Sequence, residues 1–153
     1  NSYSAVTPVI RYAEVLLSYL ECLIESGQAI DQTVLNLTIN QVRGRADVKM
    51  PPITETNSDK LRELLRNERR VELAFEGIRY WDLLRWKLAE TVLVGEVWGA
   101  PYPKSTTYAC STKFVDPTGH CRWYVGRRDF RNPQDYKWPI PLSEQNIIPN
   151  LRE

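Results

Sequence analysis

Apolar side chains return at helical spacing from the start of the chain. Ile10, Ala13, Leu16, Leu17, Leu20 and Leu23 line one face. Tyr12, Val15, Tyr19 and Cys22 widen it, so the pattern predicts a helix buried on two sides. Thr7 is the expected N-cap and Pro8 the first helical residue, with a stop at Gly27. A second helix is expected over 32–43, capped by Asp31, on a narrow stripe of Leu35, Ile39 and Val42. Thr33, Val34, Thr38, Ile39 and Val42 are β-branched, which lowers its intrinsic propensity and leaves packing to hold it. Gly44 ends it, and Pro51-Pro52 forbids continuation. Ser58 is the expected cap of a third helix, with Leu61, Leu64 and Leu65 inward, running to Gly77. A fourth is expected from about Arg79 to Thr91. Four helices in this order make two antiparallel pairs joined by short loops. That layout is tetratricopeptide-like, although no consensus residues recur at a period of about 34.

From Val92 onward Gly95, Gly99, Pro101, Pro103, Pro117, Gly119, Gly126 and Pro133 interrupt every regular pattern. Short extended pieces are expected near Thr106–Cys110 and Arg122–Val125. The run Trp138-Pro139-Ile140-Pro141 is expected to be extended, with Ser143 capping a short turn of helix before Pro149. The fold class is therefore mainly α: paired antiparallel helices over 1–91, then a loop-rich region over 92–153 packed on them, one domain overall.

One stretch departs from an ordinary amphipathic pattern. Residues 66–86 read RNERRVELAFEGIRYWDLLRW, with five arginines, four acidic side chains and no lysine. Arginine suits bidentate pairing with carboxylates at partly buried positions. Glu68, Glu72 and Glu76 recur every four residues along one helical ridge, flanked by Arg69, and Arg79, Asp82 and Arg85 follow at i, i+3, i+6. The expected result is an ion-pair network of Arg11, Glu68, Arg69, Glu72, Glu76, Arg79, Asp82 and Arg85, with Arg11 reaching the Glu72/Glu76 ridge. Glu68 or Glu72 could also be read as a glycosidase carboxylate. Such enzymes place two carboxyls across the scissile bond from separate elements. A single ridge beside arginines favours ionised, paired carboxylates over a general acid, so no catalytic residue is assigned.

Composition narrows the classes further. The formal charge of +1 gives no field for nucleic acid, and no run of 18 apolar residues suggests a membrane-spanning helix. The three cysteines, Cys22, Cys110 and Cys121, and the single His120 lack zinc-site spacing, so no metal and no cofactor are expected. Cys22 reads as a buried small hydrophobe. Cys110 and Cys121 flank a polar loop with Asp116-Pro117-Thr118-Gly119 and are candidates to close it as a disulfide in an oxidising compartment.

The string NERRVELAFEGIRYWDLLRW resembles the C-terminal signature of the SusD-like (RagB/SusD) nutrient-binding lipoproteins of Bacteroidetes. PVIRYAEVLLSYLE at 8–21, NQVRGRADV at 40–48 and WPIPLSEQNIIPN at 138–150 resemble flanking elements of that family, in its order and rough spacing, and Asn40, Arg43 and Arg45 fall on its N.VR.RA element. The resemblance implies a helical scaffold and a C-terminal piece of a longer exported protein whose lipid anchor lies elsewhere. It implies oligosaccharide binding at the cell surface, at the outer membrane, and delivery to a TonB-dependent transporter, without enzymatic activity. Glycan binding uses aromatic faces ringed by polar groups. Trp98, Trp123 and Tyr124, in irregular segments, are the candidate ligand-binding residues. The rival reading is a helical-repeat module that binds a protein partner.

Overall fold

The computed structural model describes residues 9–101, 115–137 and 140–148. The chain divides into two compact units, 1–79 and 80–153.

In the first unit, α1 (Tyr12–Glu25) packs on α2 (Gln32–Leu37), α3 (Ile39–Arg43) and α4 (Ser58–Glu72). Leu17 and Leu20 of α1 meet Leu35, Ile39, Leu61 and Leu65 in a core sealed from water. Each such side chain contributes roughly 1.5–3 kcal/mol by leaving water. The connection from α3 to α4 is not short; it occupies residues 44–57, and Ile53 returns from it into the core.

Several boundaries differ from expectation. Helix α1 begins at Tyr12, because Arg11 is extended at the N-cap position and its side chain is committed to Glu72 and Glu76. Thr7 and Pro8 lie outside the described residues. Its outer face is exposed, not buried: Ile10, Tyr12, Val15, Tyr19 and Cys22 all face solvent. The C-terminus stops as expected, with Gly27 at φ +70° and the Gln28 N–H donating to the Leu23 carbonyl at 3.1 Å.

The helix expected over 32–43 breaks at Thr38. The Thr38 hydroxyl donates to the Val34 carbonyl at 2.7 Å and the backbone there turns to φ −123°, ψ −101°. Asn57, not Ser58, caps α4, accepting from the Lys60 N–H at 3.2 Å. Leu64 is exposed. Helix α4 ends at Glu72, short of Gly77, in a turn where both Phe75 and Gly77 take positive φ.

Helix α5 (Ile78–Arg85) runs across the boundary between the units. The expected fourth helix stops there, because Lys87 adopts φ +55° and the Leu88 N–H closes back on the Leu83 carbonyl. A short α6 (Ala89–Val92) follows. The region expected to be irregular contains an antiparallel ribbon of β1 (Gly95–Pro101) and β2 (Arg122–Arg128), with two register shifts along β1. The bulges let a ribbon edge carry Gly99 and Pro101, residues that argue against a regular strand. After a 3-10 turn over Gln134–Tyr136, α7 (Leu142–Ile147) begins behind Pro141, so Ser143 lies inside the helix and is not its cap. Thr106–Cys110, Trp138 and Pro149 lie outside the described residues.

Candidate functional site

The ribbon carries three of the second unit's aromatic side chains. Trp98 of β1 stands directly opposite Tyr124 of β2, their rings edge to face with centroids 5.2 Å apart. Trp123 is 55% exposed, and the pleat turns it to the face opposite Tyr124. Gly99 lies against it: a Cβ there would meet Trp123 Cβ at 3.5 Å, an ordinary contact. The three aromatics expected to bind ligand thus share one ribbon but fall on two surfaces, the Trp98–Tyr124 pair on one and Trp123 on the other.

A tight turn leads into β2. Asp116 is buried and accepts from the Thr118 N–H (2.9 Å), the Thr118 hydroxyl (2.7 Å) and the His120 N–H (2.8 Å), and pairs with Arg122 at 2.7 Å. The Thr118 hydroxyl, with the two backbone donors and the Arg122 charge, holds the Asp116 carboxyl below the ordinary carboxylate range, against its partial desolvation. Cys121 follows and is disulfide-bonded; Cys110 lies outside the described residues. Cys22 is an exposed free thiol, which corrects the expectation of a buried one.

The ionic side chains of the first unit converge on α4. Arg11 donates through Nη1 to Glu72 at 2.9 Å, and through Nε and Nη2 to Glu76 at 2.6–3.1 Å. Arg45 grips both oxygens of Glu72 at 2.6 and 2.9 Å. Arg43 reaches Glu68 with one nitrogen and the Pro51 carbonyl with another. Arg69 is buried, bonded to the Ser18 hydroxyl at 2.9 Å and 3.9 Å from Glu21. In α5 the buried Asp82 accepts from Arg85 Nε at 2.9 Å, while Arg79 is half-buried. Among the described residues no three His, Cys, Asp or Glu side chains cluster as a metal site would need, and no helix is long and apolar enough to cross a membrane.

Comparison with known proteins is decisive: residues 1–153 match the SusD family from end to end. The chain belongs to the SusD family. It is similar to a SusD-like carbohydrate binding protein of Bacteroides fragilis NCTC 9343, with 68% identity and a TM-score of 0.89 over 95% of this chain and 28% of that one. A second SusD-like protein of the same organism gives 32% identity and a TM-score of 0.61 over 89% of this chain and 23% of that one. The SusD-like proteins P38 and P2 of Formosa agariphila are 34% and 37% identical over 92 and 89 residues. Those matches cover 18% and 17% of their lengths, so this SusD-family chain spans a minor part of every relative named here.

Sequence reasoning assigned no partner to five residues of the SusD-family scaffold. Ser18 and Glu21 look like ordinary helix positions, yet they meet Arg69. Asn40 clamps the backbone of Ile53, donating to its carbonyl at 2.9 Å and accepting from its N–H at 2.7 Å. Arg43 and Arg45 matched a family element without any partner being apparent. The available signal was that both are arginine, the cation already chosen in residues 66–86.

Proposed function

We propose that this chain is the C-terminal part of a cell-surface protein that binds oligosaccharide and delivers it to a TonB-dependent outer-membrane transporter, as a lipoprotein without catalytic turnover. The observation that carries this reading is the 68% identity to a relative described as carbohydrate binding. Its chemistry fits: edge-to-face Trp98 and Tyr124, with exposed Trp123, offer the aromatic surfaces that sugar C–H faces pack against. The carboxylates that could have suggested hydrolysis are engaged, Glu68 by Arg43 and Glu72 by Arg11 and Arg45.

The test is calorimetric titration of a panel of oligosaccharides, run on this chain and on the product of the whole reading frame that contains it. Binding by one or both is expected. Where this chain contributes contacts, Trp123→Ala should weaken affinity by about tenfold, the scale of one lost aromatic contact, with the unfolding midpoint unchanged. If neither protein binds any glycan, the reading fails. Within the same reading, Cys110 pairs with Cys121. Peptide mapping under non-reducing conditions should find that linkage, and a free Cys110 would refute it.

A further inference from the structure

The ribbon face opposite the Trp98–Tyr124 pair is nearly bare of side chains. Along β1 the pleat sends Trp98 to one side and Gly95, Val97 and Gly99 to the other. Their neighbours on β2 fill out that other side. Arg128 stands opposite Gly95, Gly126 opposite Val97, and Trp123 against Gly99. An odd number of positions separates Trp123 from Arg128, which in a regular strand would put them on opposite faces. The register shift between Val97 and Trp98 adds one residue on β2 and brings both to the same face.

Gly95 and Gly126 hold φ of +109° and +155°, where glycine is favoured, and among the described residues nothing would lie within 4 Å of a Cβ at either. Gly99 is different. Its φ lies outside the left-handed region, and a Cβ there would make only an ordinary contact. Neither conformation nor space demands glycine at 99, and glycine inside a strand weakens it. Its effect is to leave the backbone open to close approach beside the exposed Trp123.

The far end of the face carries charge. Arg122, Arg127 and Arg131 pair with Asp116, Asp129 and Asp135. Arg128 is exposed and, among the described residues, engages no carboxylate. The stretch of β1 from Gly99 to Gly95 sets Trp123 and Arg128 about 13 Å apart along the strand, a span that suits a short oligosaccharide rather than one sugar. An aromatic ring takes the C–H face of a pyranose, and a planar guanidinium takes a carboxylate through two parallel N–H bonds. The formal charge of +1 supplies no wide basic field for a densely sulfated chain. A single open guanidinium suits one carboxylate.

We infer that this face is a subsite for an acidic oligosaccharide: Trp123 stacks on a sugar ring, the glycines let the glycan lie on the backbone, and Arg128 binds the carboxylate of a uronic acid. The inference deepens the oligosaccharide-binding reading above and rests on it.

The test is calorimetric titration of the product of the whole reading frame with oligomers of galacturonate, glucuronate and mannuronate, each beside its methyl ester, and with neutral and sulfated oligosaccharides. At least one acid should bind about tenfold or more tighter than its ester, the scale of a charge-assisted hydrogen-bonded pair. Arg128→Ala should bring that acid and its ester to the same affinity, with the unfolding midpoint unchanged. Gly99→Val, which suits a strand, should weaken both severalfold by filling the floor beside Trp123. Binding of neutral glycans with no acid preferred over its ester would overturn the inference and leave the oligosaccharide-binding reading standing. A preference for acid that survives Arg128→Ala, or affinities untouched by Gly99→Val, would put the glycan elsewhere and overturn it too. A sulfated oligosaccharide held through Arg128 more tightly than any uronate would overturn the choice of carboxylate. No binding of any glycan would sink the broader reading and the inference with it.

Discussion

Arg69 holds a positive charge where water hardly reaches, its side chain 3% exposed, between Ser18 and Glu21. Removing it leaves the Glu21 carboxylate, itself 11% exposed, without that cation. Arg69→Ala should cost about 3–5 kcal/mol, read by urea unfolding of this chain. Glu72→Ala should cost less, about 2–3 kcal/mol, because Arg11 and Arg45 are exposed enough to turn to water. An Arg69 loss below that of Glu72 would show the burial argument to be wrong. Phe75 poses the opposite problem. It sits at φ +65° and is fully exposed, so it bears left-handed strain with no packing in return. Phe75→Gly should stabilise this chain by about 1 kcal/mol, seen as a raised urea midpoint. At this scale the arginine–glutamate pairing was legible, because residue type and four-residue spacing both announce it. Glu76 shows the limit: it lies beyond the end of α4, yet its carboxylate still reaches Arg11. Ser18 and Glu21 were not legible, since their partner Arg69 lies far off in sequence and nothing local sets them apart; Asn40 stood out in the N.VR.RA element, but its clamp on Ile53 did not.

Among elements, the ribbon depends on its turn. Asp116 gathers Thr118, His120 and Arg122 as an anion, and those contacts depress its pKa. A carboxylate with a depressed native pKa stabilises the fold fully above the unfolded pKa of about 4 and loses that contribution as pH falls through the native value. The carboxyl carbon resonance of Asp116 should therefore hold steady down to about pH 4 and move only at lower pH. Asp116→Asn should loosen the turn even at neutral pH; an Asp116 carboxyl resonance that titrates at or above the ordinary carboxylate range would contradict this. The helices of the first unit were readable because long periodic stretches report a buried face. Thr38 was not, although the β-branched run around it was the clue: a side-chain bond to a carbonyl one turn back competes with helix geometry. Strand β1 was hidden because Gly99 and Pro101 are breakers in a regular strand, and only the bulges make them acceptable.

Across the whole molecule, burial is uneven. Among the described residues every buried hydrophobic side chain except Leu83 and Ala89 belongs to the first unit. Amide exchange should accordingly be slowest in α1 and α4, by roughly 100-fold or more over β1 and β2; uniform protection would mean the ribbon is held by contacts beyond its two-strand ladder and its turn. The mainly helical class and family membership were legible from motif order. What the sequence misassigned was the direction of the second apolar face of α1, because periodicity reports that a face is apolar and not what covers it. The ion pairs on α4 have a further consequence. Apart from Lys60, 3.8 Å from Glu55, their cations are all arginines, Arg11, Arg43, Arg45, Arg62 and Arg69, and a guanidinium offers no amine to acylate. Reagents that acylate amines remove charge from Lys49 and from the Lys60–Glu55 contact and leave the arginine pairs intact. The helical unit thus keeps its arginine pairing under amine chemistry that modifies its lysines.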